Sequence, residues 1–302
     1  MSFALVFTGQ GTQHPAMLPW LAEDDLVRST CARLGIADWR ERLADRAWAG
    51  ANANAQVLLT GLALAAWRQI EPHVPQPACV AGYSVGELAS FSAAGVFDSS
   101  RALALAEQRA LAMNRCGQQA PGGLLAVGGL ARPAIDALCA ETGVALAIRN
   151  GADSVVLGGT ESMLDQCEPI ALRKGARVTR LDIGVASHTR WMDRAAQDFA
   201  GVLARTPLDR PGTVLFSNAA GRVRDAMQAA TALAAQMAST VRWDDCMDDI
   251  HARAPDGVLE VGPGQALARL WNQRHPDVPA RSCDDFRSAS AVTEWIVALG
   301  PA

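Results

Sequence analysis

The fold is decided by the stretch 78–89, which reads Ala78-Cys79-Val80-Ala81-Gly82-Tyr83-Ser84-Val85-Gly86-Glu87-Leu88-Ala89. A short apolar run, Ala78–Ala81, predicts a strand, and the segment Val85–Ala94 behind it predicts a helix. Between them lies the turn Gly82–Gly86, whose glycines allow the chain to reverse sharply. A strand, a sharp glycine turn and a helix in series are typical of a parallel α/β sheet.

The serine at the centre of this turn has two interpretations. Gly82-x-Ser84-x-Gly86 matches the nucleophile elbow, in which a serine projects from a tight strand-to-helix turn. A position near a helix N-terminus also favours developing negative charge, because the first N–H groups of a helix have no partner within it. The alternative is an N-capping serine, with Glu87 three residues later completing a capping box. We favour the nucleophile because other residues suited to the same chemistry accompany it.

The rest of the chain divides into a large unit and a small one inserted into it. The segment 122–183 has the order βαββαβ, which is the ferredoxin-like unit. Its predicted elements are Leu124–Val127, Pro133–Glu141, Val144–Ile148, Ser154–Leu157, Glu161–Arg173 and Arg177–Asp182. The flanking segments 1–121 and 184–302 carry longer α/β patterning, so we predict that they form one large α/β domain. A cleft between the two domains is the expected place for a functional site.

The predicted elements of the large domain lie on both sides of the insertion. The first strand, Phe3–Phe7, is followed by the glycine loop Gly9-Gln10-Gly11. Further strands are predicted at Thr213–Phe216 and Gly257–Val261. Helices are predicted at Leu21–Leu34, Trp39–Trp48, Ala53–Ile70, Arg101–Arg115, Thr189–Ala204, Ala226–Ala238, Asp244–Ala252, Gln265–Gln273 and Ala289–Leu299.

The composition excludes several classes of protein. The chain has 302 residues, 50% of them hydrophobic, and a net charge of −4, so it can bury a sizeable core and has no basic stripe for nucleic acid. Its seven cysteines include no Cys-x-x-Cys pair and its five histidines show no i, i+4 spacing, so we expect reduced thiols and no metal site. There is no basic leader and no apolar run of ~20 residues, so we expect a cytoplasmic protein without a membrane partner.

A nucleophilic serine needs a base and donors for the oxyanion that forms on its substrate. We favour His188 as the base, since it lies where the last small-domain strand meets a helix of the large domain. His14, close to the glycine loop, is the rival. The backbone N–H groups of Gln10 and Val85 are the candidate oxyanion donors.

Two further roles stay open between alternatives. Asp182 or Asp153 is available to orient the imidazole of His188, and a backbone carbonyl is the other possibility. Arg109 lies on the apolar helix Arg101–Arg115 and is either a snorkelling surface side chain or a cleft residue. In the cleft, its planar guanidinium would suit bidentate binding of a substrate carboxylate.

Five segments, in this order, resemble those of the malonyl-CoA:acyl-carrier-protein transacylases. They are Phe7-Thr8-Gly9-Gln10-Gly11-Thr12-Gln13, Gly82-Tyr83-Ser84-Val85-Gly86-Glu87-Leu88-Ala89, Glu107-Gln108-Arg109, Ala186-Ser187-His188 and Glu260-Val261-Gly262-Pro263-Gly264. In the small domain, Asn150 and Val155-Val156-Leu157-Gly158-Gly159 also match the family. The resemblance covers nearly the full chain and implies an α/β-hydrolase-like large domain with a ferredoxin-like insertion.

The resemblance also implies a reaction and its participants. Ser84 would be acylated by malonyl-CoA, His188 would act as general base and acid, and Arg109 would pair with the free malonyl carboxylate. The substrates would be malonyl-CoA, a CoA thioester, and the thiol of an acyl carrier protein, and no cofactor would be bound permanently.

The resemblance implies supporting roles as well. Gln10 and Val85 would supply the oxyanion N–H groups. The backbone carbonyl of Gln236 would orient the catalytic histidine, which makes a Ser–His dyad and leaves no role for Asp182.

The chain departs from the family pattern at Tyr83, where a histidine usually precedes the nucleophile, and in the run Gln13-His14-Pro15-Ala16-Met17-Leu18-Pro19-Trp20. Both features are more similar to the transacylase, or epsilon, subunit of malonate decarboxylase, so we predict that branch and its carrier subunit as partner. The alternatives are a transacylase of fatty-acid or polyketide synthesis, a serine esterase or thioesterase, and a catalytically silent scaffold.

Overall fold

The computed structural model describes residues 2–300, whose strands form two sheets. The strands are β1 (Phe3–Phe7), β2 (Cys79–Gly82), β3 (Gly122–Gly128), β4 (Ala145–Arg149), β5 (Ser154–Thr160), β6 (Arg177–Arg180), β7 (Leu215–Ser217), β8 (Gly221–Val223), β9 (Val241–Arg242), β10 (Gly257–Val261) and β11 (Ala280–Ser282). The α-helices are α1 (Asp25–Leu34), α2 (Trp39–Arg42), α3 (Arg46–Gly50), α4 (Asn52–Ile70), α5 (Gly86–Ala93), α6 (Ser99–Gln119), α7 (Arg132–Thr142), α8 (Glu161–Arg173), α9 (Asp193–Leu203), α10 (Ala226–Ala235), α11 (Trp243–His251), α12 (Ala266–Arg274) and α13 (Ala289–Ala298). Short 3-10 helices lie at Glu71–His73, Arg190–Met192 and Cys283–Asp285.

The large sheet has the strand order β11-β10-β1-β2-β7-β8 and is parallel except for the edge strand β8. Its centre is β1, whose five residues are all buried because helices cover both faces of the sheet. Phe7 at the end of β1 lies opposite Gly82 on one side and Val261 on the other. The segments that follow these three strands therefore emerge at one edge of the sheet, where ligands of parallel α/β sheets bind.

The small sheet has the order β6-β3-β5-β4-β9. Its first four strands are antiparallel and, with α7 and α8, form the βαββαβ unit expected for a ferredoxin-like domain. The fifth strand, β9, pairs parallel with β4 and comes from outside the segment 122–183. The chain thus has the predicted α/β fold with a large and a small domain, and β9 ties the small sheet to the later part of the chain.

The helices differ from the sequence-based expectation at two places in the amino-terminal region. The predicted helix 21–34 begins only at Asp25, because the Asp24 side chain caps α1 by accepting the N–H groups of Leu26 and Val27. The predicted helix 39–48 is two short helices, since the Asp45 side chain accepts the N–H of Trp48 and starts α3. Both predictions were wrong because an aspartate that looked like an interior residue is a helix cap.

Two long helices support the nucleophile turn from behind. In α4 every residue from Ala55 to Trp67 is buried, as expected for a helix packed on several sides. α6 packs along α4 and turns its apolar stripe, together with Arg109, inward. None of the helices within residues 2–300 combines the length and the apolarity that crossing a membrane requires.

Candidate active site

The turn after β2 holds Ser84 in a conformation that few non-glycine residues adopt. Its φ is 55°, in the left-handed region, which costs roughly 1–2 kcal/mol for an L-residue. The flanking glycines are required sterically. A Cβ on Gly82 would lie 2.1 Å from the carbonyl oxygen of Gly86, and a Cβ on Gly86 would lie 2.4 Å from that of Phe7. The turn is therefore as tight as the spacing Gly-x-Ser-x-Gly predicts.

The Ser84 hydroxyl faces the imidazole of His188. Ser84 Oγ lies 2.8 Å from His188 Nε2, and His188 Nδ1 lies 2.7 Å from the backbone oxygen of Gln236. Because a carbonyl oxygen only accepts, Nδ1 carries the proton and Nε2 presents its lone pair to the serine. His188 also has a left-handed backbone (φ 62°), held by a hydrogen bond from its N–H to the Met237 carbonyl. The structure thus brings these three sequence-predicted residues together.

The His188 ring is in its neutral form. Its side chain is buried, and burial, followed by the positive charge of Arg109, lowers the pKa of His188 to about 3. The hydrogen bond to the Gln236 carbonyl acts in the opposite direction and is the weaker influence. A neutral imidazole is the form that accepts a proton from a hydroxyl.

Gln10 and Val85, whose backbone N–H groups are the two candidate oxyanion donors, both line the same cleft. Gln10 follows β1, and its side chain is tied back by a 3.2 Å hydrogen bond to the Gly50 carbonyl. Within residues 2–300, neither of these two N–H groups donates to another protein group. Unpaired backbone donors in the cleft of a nucleophilic serine are what an oxyanion hole requires.

Arg109 is a cleft residue and not a snorkelling surface side chain. It is 2% exposed, and its guanidinium borders the cleft that contains Ser84. Its Nη1 donates to Gln56 Oε1 (2.7 Å) and its Nη2 to Gln236 Oε1 (2.8 Å). Burial lowers the pKa of Arg109 to about 10, against the influence of Glu87, so the side chain is cationic at neutral pH. The two amides leave other guanidinium N–H groups free for a ligand.

The cleft lies where the two sheets meet and has a volume of about 280 Å³. Most of its polar groups come from the large domain, with Asn150 and Asp182 from the small one, and its apolar wall comes mostly from the small domain. The polar lining includes Gln10, Gln56, Ser84, Arg109 and His188, and the apolar wall includes Leu124, Ala126, Ile148, Val156 and Leu270. The shape suits a ligand with one anionic group and an otherwise uncharged reacting centre.

Tyr83 connects the nucleophile turn to the small domain. Its hydroxyl donates to Asn150 Oδ1 (3.0 Å), in the segment after β4, and burial raises its pKa, so it is neutral. Its ring meets Trp243 edge to face, with centroids 5.4 Å apart. On the other side it packs on Gly9, where an added Cβ would lie 2.7 Å from Tyr83 Cδ1. One side chain thereby contacts the glycine loop, the small domain and α11.

Three other sequence candidates lie apart from the serine. His14 Nε2 is 2.7 Å from Asp284 Oδ2, so its ring belongs to a different cluster. Asp182 lies at the edge of the cleft against Gly50, and Asp153 is exposed on the turn before β5. Neither carboxylate hydrogen-bonds to His188, whose Nδ1 is taken by the Gln236 carbonyl.

The capping-box interpretation of Ser84 was wrong. α5 has Val85 at its N-cap with no side-chain cap, and Glu87 points into the protein, where it is fully buried. Its carboxylate accepts hydrogen bonds from the Asn218 backbone N–H and from Gln236 Nε2. Burial raises the pKa of Glu87 to about 7, partly offset by these hydrogen bonds and by Arg109.

Sequence reasoning also missed the two amides that complete this region, Gln56 and Asn218. Gln56 had a signal, since it is a polar residue inside the apolar run of α4. Asn218 had none, because it follows a three-residue strand distant in sequence from the serine it contacts.

One group of side chains with metal-ligating atoms lies away from the cleft, at His251, His275 and Asp277. The two imidazoles stack in parallel with centroids 4.1 Å apart, and His251 Nε2 is 3.0 Å from Asp277 Oδ2. The group takes no part in the geometry around Ser84.

Known proteins resemble this chain in sequence and in fold. The family model described as "Acyl transferase domain" matches residues 49–296. The malonyl CoA-acyl carrier protein transacylase of Haemophilus influenzae is 31% identical over an alignment 318 positions long, which covers 98% of this chain and 99% of the relative. The crystal structure of an acyl-carrier-protein S-malonyltransferase from Burkholderia pseudomallei is 30% identical and superposes with a TM-score of 0.87, covering 97% of this chain and all of that one.

A third relative was solved as a complex. It is a malonyl-transacylase bound to the acyl-carrier protein of a type II polyketide synthase, 27% identical, with a TM-score of 0.89 over 97% of this chain and 99% of that one. The identities and the coverage extend over both domains. The chain therefore belongs to the malonyl-CoA:acyl-carrier-protein transacylase family and is an acyltransferase.

Proposed function

We propose that this protein transfers malonyl from malonyl-CoA to the thiol of an acyl carrier protein through a malonyl-serine intermediate on Ser84. The observation that carries the proposal is the buried guanidinium of Arg109 in the same cleft as the Ser84–His188 pair. The transacylases and malonyltransferases named above act on malonyl groups and acyl carrier proteins, which supports the same substrates here.

In the first half-reaction, His188 Nε2 takes the proton of the Ser84 hydroxyl as Oγ attacks the thioester carbon. The N–H groups of Gln10 and Val85 stabilise the oxyanion of the tetrahedral intermediate. The C–S bond then breaks, the proton on His188 passes to the CoA sulfur, and CoA leaves as a thiol. Malonyl remains as an ester on Ser84.

In the second half-reaction, the carrier thiol gives its proton to His188 and its sulfur attacks the ester carbonyl. The bond to Ser84 Oγ breaks and the hydroxyl recovers its proton from His188. The Gln236 carbonyl holds Nδ1–H throughout, so the pair works as a dyad without a carboxylate. No cofactor takes part in either half-reaction.

Arg109 provides the selectivity for malonyl in this proposal. A carboxylate on the acyl group would pair with a cation that is already buried and held by two amides, so little ordering is needed on binding. An acetyl group has no charge to offer and gains nothing from this residue. Ser84 would then react mainly with thioesters that carry a terminal carboxylate.

The named relatives support a carrier protein of fatty-acid or polyketide synthesis as the acceptor. This acceptor replaces the malonate decarboxylase carrier that the sequence analysis predicted. The malonate decarboxylase carrier stays as a second candidate because of Tyr83. This residue, whose hydroxyl donates to Asn150, occupies the position at which the family resemblance implies a histidine. The malonate decarboxylase carrier would bear a CoA-derived prosthetic thiol. Measuring malonyl transfer to purified carriers of both kinds separates the two, since the physiological carrier should accept malonyl at the higher kcat/KM.

Intact-mass spectrometry after incubation with malonyl-CoA tests the proposal. We expect a malonyl adduct on the wild-type protein and none on Ser84→Ala. A silent scaffold predicts no adduct on either protein, and an esterase predicts free malonate with no transfer to a carrier.

A further inference from the structure

The peptide groups of Ser84 are held from both sides by side-chain amides. Its N–H donates to Asn218 Oδ1 (2.8 Å), and the same amide donates from Nδ2 to the Gly82 carbonyl (2.7 Å). Its carbonyl accepts from Gln236 Nε2 (2.7 Å), in addition to the N–H of Glu87 at 3.0 Å. These contacts fix the peptide units before and after Ser84. Rotation of either unit would let the serine leave its left-handed conformation.

The two residues that supply these amides, Asn218 and Gln236, both hydrogen-bond to one buried carboxylate. Glu87 Oε1 accepts the backbone N–H of Asn218, and Glu87 Oε2 accepts Gln236 Nε2 (3.0 Å). Glu87, Asn218 and Gln236 are each at most 1% exposed, so water cannot replace a lost partner. The mechanism above gives Glu87 no contact with substrate.

The orientation of the Gln236 amide is fixed by what surrounds it. On one side is Arg109, which only donates, so Oε1 must face its Nη2. On the other side are the Ser84 carbonyl and Glu87, which above its pKa of about 7 is a carboxylate that only accepts, so Nε2 must face them. Turning the amide over would set donor against donor at Arg109 and acceptor against acceptor at Ser84.

We propose that Glu87 is a positioning residue for the nucleophile, whose carboxylate fixes Asn218 and the Gln236 amide so that together they hold Ser84 in its left-handed conformation. The inference rests on the proposed function only in taking Ser84 as the nucleophile. It assigns the acidic residue of the segment Ser84-Val85-Gly86-Glu87 to shaping the serine and not to capping its helix.

The substitution Glu87→Gln tests this with almost no change in shape. The new amide can still accept from Asn218, but its NH₂ group would face the NH₂ group of Gln236. Either that clash persists or the Gln236 amide turns and loses Arg109 and Ser84. The probe is a fluorophosphonate, which labels an activated serine and carries no malonyl group.

We expect the maximal labelling rate of Ser84 in Glu87→Gln to fall about 10- to 100-fold, as one unsatisfied buried polar group implies, with little change in the probe concentration that gives half the maximal rate. The matched control is Thr142→Val in the small domain, which also removes a buried hydrogen bond, from Thr142 Oγ1 to the Leu138 carbonyl. Thr142→Val should label at the wild-type rate. Equal labelling of Glu87→Gln and the wild type would overturn the proposal.

A second variant exchanges the carboxylate and the amide between the two positions, since it carries Glu87→Gln together with Gln236→Glu. The carboxylate at 236 can accept from Arg109 and from the new amide at 87, but it has no N–H to donate to the Ser84 carbonyl; the backbone carbonyl that holds His188 is unchanged. We expect this double variant to fold even if the single variant does not, and to label at least about 10-fold more slowly than the wild type, because Ser84 has lost the amide on its carbonyl. A folded double variant that labels at the wild-type rate would overturn the proposal, and a double variant unfolded like the single one would contradict the orientation argument. Fluorophosphonate labelling without any malonyl adduct would instead refute the proposed substrate and leave this inference standing.

Discussion

Replacing Arg109 by methionine should abolish the preference for malonyl while leaving the acylation chemistry in place. Methionine keeps an unbranched apolar stem in a site that is 2% exposed, and it removes the guanidinium that borders the cleft. The prediction concerns the ratio of two rates measured on the same protein. A partly destabilised variant therefore does not confuse the result.

The magnitude follows from the burial of the charge. Removing one member of a desolvated charge pair costs about 2–5 kcal/mol, so kcat/KM for malonyl-CoA should fall about 30- to 5,000-fold. Acetyl-CoA has no carboxylate to lose, and its kcat/KM should change by no more than a few-fold. The ratio of kcat/KM for malonyl-CoA to kcat/KM for acetyl-CoA should therefore fall, whatever the two absolute values are.

Single-turnover acylation, quenched in acid and read by intact mass, measures both rates. The matched control is Arg115→Met, an exposed arginine on the same helix, which should keep the wild-type ratio. If Arg109→Met slows malonyl-CoA and acetyl-CoA equally, or leaves the ratio unchanged, Arg109 does not bind the acyl carboxylate.

Two further predictions concern pH and the tyrosine. Because the pKa of His188 is lowered to about 3, its base form persists as the pH falls, and single-turnover acylation should show no acid limb near the ordinary histidine pKa of about 6.5. A limb near pH 7 should be lost in Glu87→Gln, since burial raises the pKa of Glu87 to about 7, whereas a limb from Glu260, which lines the cleft and whose pKa burial raises to about 8, should remain. Tyr83→Phe removes the hydroxyl that donates to Asn150 and keeps the ring, so the free energy of unfolding in urea should fall by about 1 kcal/mol.

Each of these has an outcome that contradicts it. A limb near pH 6.5 that persists in Glu87→Gln would mean that His188 titrates as an ordinary histidine. For the tyrosine, a double-mutant cycle with Asn150→Ala is the control. Independent, additive effects of the two substitutions would show that the hydrogen bond contributes nothing to stability.

The sequence predicted the parts of the fold that depend on local patterning. The strand and turn around Ser84, the βαββαβ order of the small domain and the α/β class all follow from short apolar runs and glycine spacing, and they agree with the structure. The pairing of β9 with β4 was not predictable, because two residues such as Val241 and Arg242 carry no periodic signal. Their pairing is decided by tertiary contacts.

The active site likewise contains some residues that the sequence predicted and others that only tertiary contacts reveal. Ser84 and His188 carry side chains whose chemistry is visible in the sequence, and family resemblance suggested the carbonyl of Gln236. The direction of Arg109 was open, since an arginine on an amphipathic helix can face either way; the structure turns it inward onto two amides. The roles of Glu87 and Asn218 depend on contacts between residues more than 130 positions apart, which spacing cannot reveal.

In the proposed reaction, malonyl rests on Ser84 and moves from there to a carrier thiol. To measure this transfer, the malonyl-enzyme is isolated free of CoA and the holo carrier protein is added. The masses of the enzyme and of the carrier are then followed with time. We predict that the adduct leaves the enzyme as an equal amount of malonyl appears on the carrier. Release of free malonate without gain of mass on the carrier, or transfer by Ser84→Ala, would show that malonyl does not reach the carrier through Ser84.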